Sequence, residues 1–161
     1  MGLDMYLTKE EYLTYLEKGT EGKYKTVTGA VISVTRTYSD GSKDTVDIKT
    51  GAWDSGLYLN IPIGYWRKVN AIHNWFVQYC GDGVDDCKPI KICGDQLIKL
   101  RNLCQTVLNN PEKAADLLPT QKSFFFGSIE YNENYFTDLK DTIEILKDVD
   151  EEAYYTYETS W

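Results

Sequence analysis

Asp40-Gly41 stands between two runs of alternating β-branched residues, AVISVTRTYS (30–39) and SKDTVDIKT (42–50). A turn pair of this type between such runs is the strongest short-range signal for a β-hairpin. It commits the segment 23–51 to antiparallel pairing, and its outward Thr, Lys and Asp leave one face wet. Any fold open to the chain must therefore include antiparallel sheet.

The other segments add helices to that sheet. GLDMYL (2–7) alternates as a first strand, and TKEEYLTYLEKG (8–19) reads as a short helix. Thr8 and Glu11 form its capping box, Tyr12, Leu13 and Leu16 share a side, and Gly19 stops it. LYLNIPI (57–63) follows the loop 51–56 as another strand. A helix over 65–79 starts after Gly64, with Tyr65, Val69, Ile72, Phe76 and Cys80 on its apolar stripe and His73 and Trp66 at the margin. Arg67, Asn70, Asn74 and Gln78 make its polar side, and Trp75 projects away from the stripe. The turn-rich segment 80–90 is a loop, and Asp95 caps a helix to about Asn109 that buries Leu97, Leu100, Leu103, Cys104 and Val107. Pro111 opens a short helical stretch. ENYFTDLKDTIEILKDV (133–149) is amphipathic through Phe136, Leu139, Ile143 and Leu146, and 153–161 is a final strand. The expected architecture is a single α+β domain over 1–161, with a mostly antiparallel sheet covered by three longer helices.

Charge and cysteine usage narrow the function. The formal net charge of −8 argues against direct binding of nucleic acid, which rests on Lys and Arg neutralising phosphates. It permits an acidic surface that fits a basic groove on a partner, although the acids are dispersed, densest at 82–86 and 148–152. The absence of a signal segment and of an apolar run near 18 residues predicts a soluble chain that is neither exported nor membrane-bound. The four cysteines contain no C-x-x-C pair, which favours reduced thiols over a zinc site. With 13 Tyr, 4 Trp and 5 Phe, the chain has rings beyond what a core needs for surfaces that grip planar partners.

No general catalytic pattern is present: there is no glycine-rich phosphate loop, no G-x-S-x-G and no H-E-x-x-H. His73 and Cys80 lie on nearby faces of one helix, but seven residues is about 10 Å, too far for a hydrogen bond. A lone histidine is more often a core-edge ring with both nitrogens satisfied; as an acid–base group it would need a partner such as Tyr65 or Asp85. Arg67 and Lys68 follow two aromatics, and an arginine beside rings can hold phosphate bidentately while a base stacks. The competing state is Arg67 paired with a local acid and Lys68 solvated. In LLPTQKSFFFGS (117–128), Thr120, Gln121 and Ser128 surround a rigid aromatic segment, the sparse polar set of a ligand pocket. The expected ligand-binding residues are Tyr65, Arg67, Lys68, His73, Asn74, Trp75, Thr120, Gln121, Phe125, Ser128 and Tyr131. Trp75, Phe125 and Tyr131 would offer ring faces to a base, and Arg67, Thr120, Gln121 and Ser128 would take phosphate or ribose. Against the acidic background, Arg67 must share one cavity with Lys68 or Lys122. No catalytic residue, metal ligand or cofactor is expected.

The motifs MGLDMYL, YWRKVNAIHNWFV (65–77), GVDDC (83–87), LLPTQ (117–121), FFFGSIEYNENYFTDL (124–139) and the closing SW resemble a small family met mainly in bacteriophages and prophages. The resemblance runs end to end except for 20–60, a variable strand and hairpin segment in that family. Some members carry a phosphoglycerate-kinase label, which the missing nucleotide-kinase loops set aside. The resemblance implies an accessory role, with counter-defence the expectation, in the cytoplasm of the infected bacterial host. Three activities follow as expectations. The first is a non-catalytic binder, or sponge, that sequesters a nucleotide-derived immune signal. The second is a protein–protein inhibitor of a defence effector or nuclease, in the manner of anti-CRISPR proteins. The third is a hydrolase of such signals. A homodimer with a shared pocket is expected.

Overall fold

The computed structural model describes residues 2–13, 16–18, 24–26, 28–51, 57–124 and 126–161. In chain order it contains β1 (Asp4–Leu13), β2 (Leu16–Lys18), β3 (Tyr24–Thr26), β4 (Val31–Thr37), β5 (Lys43–Lys49), β6 (Leu57–Arg67), α1 (Asn70–Cys80), β7 (Ile90–Cys93) and α2 (Gly94–Asn109). A 3-10 turn (Pro111–Lys113), α3 (Ala114–Leu117), α4 (Glu133–Ile145) and β8 (Tyr154–Ser160) complete it. The chain divides into two compact units, Met1–Glu11 with Asn60–Trp161, and Tyr12–Leu59. The α+β class and the three longer helices α1, α2 and α4 agree with the sequence reading.

In the larger unit the sheet order is β6-β1-β8-β7. β8 runs antiparallel to both β1 and β7, with Leu7 opposite Tyr157 and Ile92 opposite Tyr155. Lys68 N donates to Leu3 O at 2.8 Å and Tyr65 packs on Tyr6, so β6 also runs antiparallel to β1. Alternation sends Met5, Leu7, Trp66, Ile92, Tyr155 and Tyr157 inward and leaves Tyr6, Tyr65 and Tyr154 exposed. The inward set packs with Ile72 and Phe76 of α1, Leu97, Leu100 and Cys104 of α2 and Leu139 of α4 in one core. Phe76 stacks on Tyr157 with centroids 4.0 Å apart. Trp66 Nε1 donates to the fully buried Thr142 Oγ1 at 3.0 Å, and that hydroxyl donates to Asp138 O at 2.7 Å. Trp66→Phe removes the indole donor and some ring volume. It is expected to cost about 1–2 kcal/mol in urea denaturation, and an unchanged midpoint would show that the bond adds nothing.

In the smaller unit β4 and β5 form the hairpin read from Asp40-Gly41, with Ile32 opposite Ile48 and Val34 opposite Val46. Tyr38 N donates to Ser42 O at 2.9 Å, closing a loop of three residues in which Gly41 takes φ 83°. Left-handed backbone at the last loop position is what this hairpin type requires, and glycine meets it without strain. Asp40 Oδ1 accepts from Ser42 N at 2.9 Å. β2 and β3 pair antiparallel.

Two segments differ from the sequence reading. Residues 8–13 continue β1 instead of starting a helix; Gly19 and residues 14–15 lie outside the described residues. The KEE run is a good helix former, but its cross-strand partners decide. Glu10 sits opposite Tyr154, accepts from Thr156 Oγ1 and pairs with Lys91, while Lys9 pairs with Glu11, two positions on along the same strand face. Residues 65–67 end β6, and α1 begins only at Asn70. Here Trp66 is the inward residue and Tyr65 and Arg67 are outward, a period of two that a helical projection misreads. β7 lies between the 80–90 loop and the helix capped near Asp95, where four residues are too few to show a period in the sequence.

Candidate functional site

Where β6 gives way to α1, the chain turns sharply: Lys68 adopts φ 59°, so Arg67 and Lys68 stay outside while Val69 turns in. Asn70, 3% exposed, fastens this turn to the 118–131 loop. Its Nδ2 donates to Ser128 O at 2.6 Å and its Oδ1 accepts from Gln121 N at 3.4 Å. Gly127 makes the close approach possible, since a Cβ there would lie 2.9 Å from Lys68 O and its φ is 89°. The third wall is α4. Asn132 caps it by accepting from Asn134 N at 3.1 Å and Tyr135 N at 3.4 Å, and Tyr135 OH donates to Leu118 O at 2.9 Å.

These walls enclose an open cleft of about 260 Å³. Its lining includes the buried Val69, Ala71, Tyr135 and Leu139, with Arg67, Lys68, Thr120, Ser128, Glu130, Asn132, Asn134 and Asp138 as the polar part. Two cations and two carboxylates thus share one hollow. Arg67 is 60% exposed and only loosely paired, 3.8 Å from Asp4. Burial, reinforced by nearby Asp141, pushes the Asp138 carboxyl up to about 6. Among the described residues, no side chain or amide gives that carboxylate a hydrogen bond or ion pair.

Four of the residues chosen from sequence meet in the cleft: Arg67, Lys68, Thr120 and Ser128. Two of them already hold the wall together. Thr120 Oγ1 donates to Ile129 O at 2.9 Å, and Ser128 Oγ accepts from Glu130 N at 3.1 Å. Gln121 and Lys122 do not line it; the Gln121 Oε1 is buried without a donor among the described residues. Tyr131 packs edge-on against Tyr135 at 5.0 Å, accepts from Thr120 N at 3.2 Å and does not line the cleft. Asn74 Nδ2 donates to Pro119 O at 3.2 Å, and Tyr65 OH donates to Asp4 on the exposed sheet face. Phe125 lies outside the described residues.

Trp75 corrects the expectation of an outward ring: it is 6% exposed, set against Phe76 and stacked on Tyr79. The reason is that α1 is buried around most of its girth, with Ala71, His73, Trp75 and Val77 covered as well as Ile72 and Phe76. A one-stripe projection fails for such a helix. His73 is fully buried, with Nε2 3.0 Å from Asp85 Oδ2 and Nδ1 2.8 Å from Tyr157 OH. Asp85 is the partner weighed from sequence, but the ring does not reach the cleft. Burial lowers the His73 pKa against the opposing pull of Asp85 and raises that of Tyr157. The neutral ring therefore donates to the carboxylate and accepts from the phenol. The Cys80 and Cys104 thiols are pushed up to about 12 by burial, which keeps them protonated and inert.

Sequence reasoning missed Asn134, Tyr135 and Asp138. Leu139 lies on the apolar stripe of α4 with Tyr135 beside it, and the polar pair Asn134 and Asp138, spaced i, i+4 along that edge, was the available signal. Among the described residues no cluster of three or more potential metal ligands occurs, and no helix is long and apolar enough to cross a membrane. No family model, curated protein or solved structure matches the chain.

Proposed function

We propose that this chain is a non-catalytic binder that sequesters a small nucleotide-derived ligand in the cleft beside α1, as a phage accessory protein acting against a bacterial defence signal. The observation that carries this reading is the convergence of Arg67 and Lys68 with the 120–128 loop on one open hollow. Every lining residue falls in the segments 65–77, 117–121 and 124–139, which carry the resemblance to the phage family. The volume lies just under the range of about 300–1,000 Å³ common for ligand sites, which suits one mononucleotide unit. Because Thr120 and Ser128 hold the wall, direct contacts fall to Arg67, Lys68, Asn134 and Asp138. The acids argue for this reading over mimicry of nucleic acid. Several are tied to single cations, as in Asp86–Lys88, Asp95–Lys99 and Glu144–Lys147, which reduces the free negative surface that mimicry needs.

Calorimetry with nucleoside monophosphates and cyclic dinucleotides tests the proposal. Binding is expected, and Arg67→Ala is expected to weaken it at least about tenfold by removing the bidentate phosphate donor. No heat with any of these ligands overturns the reading. One observation favours a hydrolase instead: a cleft carboxyl with a pKa of about 6 is poised for proton transfer near neutrality. The mass of the recovered ligand separates the two, unchanged for storage and altered for turnover.

A further inference from the structure

We propose that the cleft selects guanine: Asp138 accepts the N1–H and the 2-amino N–H of the base, Asn134 donates to O6, and Arg67 and Lys68 take the phosphate. This rests on the reading of the cleft as a nucleotide site and names which nucleotide fits.

Among the described residues, Asp138 lacks hydrogen-bond donors of its own. A half-buried carboxylate has lost much of its water, and among the described residues nothing donates to it in return. Such a group favours a ligand that brings donors, and two adjacent donors suit its two oxygens best. Of the common bases, only guanine presents two neighbouring N–H donors on its pairing edge. Adenine and cytosine set one amino donor beside a ring acceptor, and uracil flanks its single N–H with two carbonyls. Each would point a lone pair at the carboxylate.

Asn134 completes the match. It lies one helical turn before Asp138 on α4, lines the same cleft, and its side-chain amide has no described partner. An amide donor next to a carboxylate acceptor is the complement of O6 next to N1–H and the 2-amino group. Apolar lining from Val69, Ala71 and Leu139 gives the ring system dry contact, and the cations supply the opposite pole. Two carboxylates in a cleft that binds an anion would otherwise be a liability, since neither helps to hold phosphate.

Titration calorimetry of the full chain at pH 7.5 with GMP, AMP and XMP tests this. GMP is expected to bind at least about tenfold tighter than AMP, the discrimination of one good bidentate base contact. Asp138→Asn is expected to weaken GMP by a similar factor and to make XMP the better ligand, because the new amide N–H meets the 2-oxo group of xanthine. A residue that only shapes the cleft would change all three affinities together. If GMP and AMP bind the unmodified chain equally and Arg67→Ala weakens both, the nucleotide site stands and the guanine assignment falls. If none of the three nor a cyclic dinucleotide binds, both fall. The GMP to AMP ranking needs no variant, so a misfolded Asp138→Asn protein would not shield the proposal.

Discussion

Replacing Gly94 by alanine is expected to destabilise the protein by about 3–4 kcal/mol and to lower its melting temperature by about 10 °C. Gly94 opens α2 directly after β7, and its N–H donates to Ala153 O at 2.9 Å. A Cβ at this position would lie 1.9 Å from Asp150 O and 2.8 Å from Glu151 O. Both are backbone atoms, so no side chain can swing aside to admit the methyl group. The turn that would have to move is itself anchored, with Asp150 N donating to Tyr155 OH at 3.0 Å and Ala153 N to Asp150 O at 3.3 Å. Tyr155 belongs to the core strand β8, so the displacement would be felt in the sheet. Gly51→Ala is the control: a Cβ there meets nothing within 4 Å, and a change inside about 0.5 kcal/mol is expected. Urea denaturation of the two variants reads the difference directly. Equal midpoints would mean that the 150–153 turn does not close over the start of α2.

The contrast between Gly94 and Gly41 shows what a sequence can and cannot reveal. Gly41 follows Asp40 between alternating runs, so its role is written in its neighbours. Gly94 is set by residues more than fifty positions away, and nothing near it announces the contact. The same division runs through the fold. The α4 stripe and the final strand are local patterns strong enough to read. The 8–13 strand and the end of β6 are decided by cross-strand partners, and a helix-prone run yields to them. In the cleft, Arg67 and Lys68 were legible because cations beside aromatics stand out in an acidic chain. Asp138 was not, since one carboxylate on an amphipathic helix looks like any solvated position until the fold half-buries it in the cleft. The aromatic wealth misled in one respect: Trp75, read as an outward ring, fills the interior, while many tyrosines stay exposed away from the cleft.

His73→Phe is expected to cost about 2–4 kcal/mol at pH 7.5, from a ring of similar size that makes neither hydrogen bond. Tyr157 OH would be left in the core without an acceptor, and Asp85 would lose the donor that ties the 82–87 turn to α1. Asp85 keeps 19% of its side chain exposed and can find water; Tyr157, 1% exposed, cannot, so most of the loss falls there. Acidification separates a structural imidazole from a buried ion pair. Burial sets the folded-state pKa of His73 below its ordinary 6.5, so the unfolded chain takes up this proton first. The stability that the neutral ring contributes is therefore present above pH 6.5 and is lost as pH falls below it. Asp138 acts in the opposite sense, because a carboxyl raised to about 6 favours the folded state as pH falls through 6 toward its ordinary 3.8. That slope is common to both proteins and cancels in their difference. The stability gap between the parent chain and His73→Phe is thus expected to narrow from pH 7 to pH 5. A gap that widens would mean that Asp85 holds an imidazolium, and that attraction across 3.0 Å outweighs the loss of water around the ring.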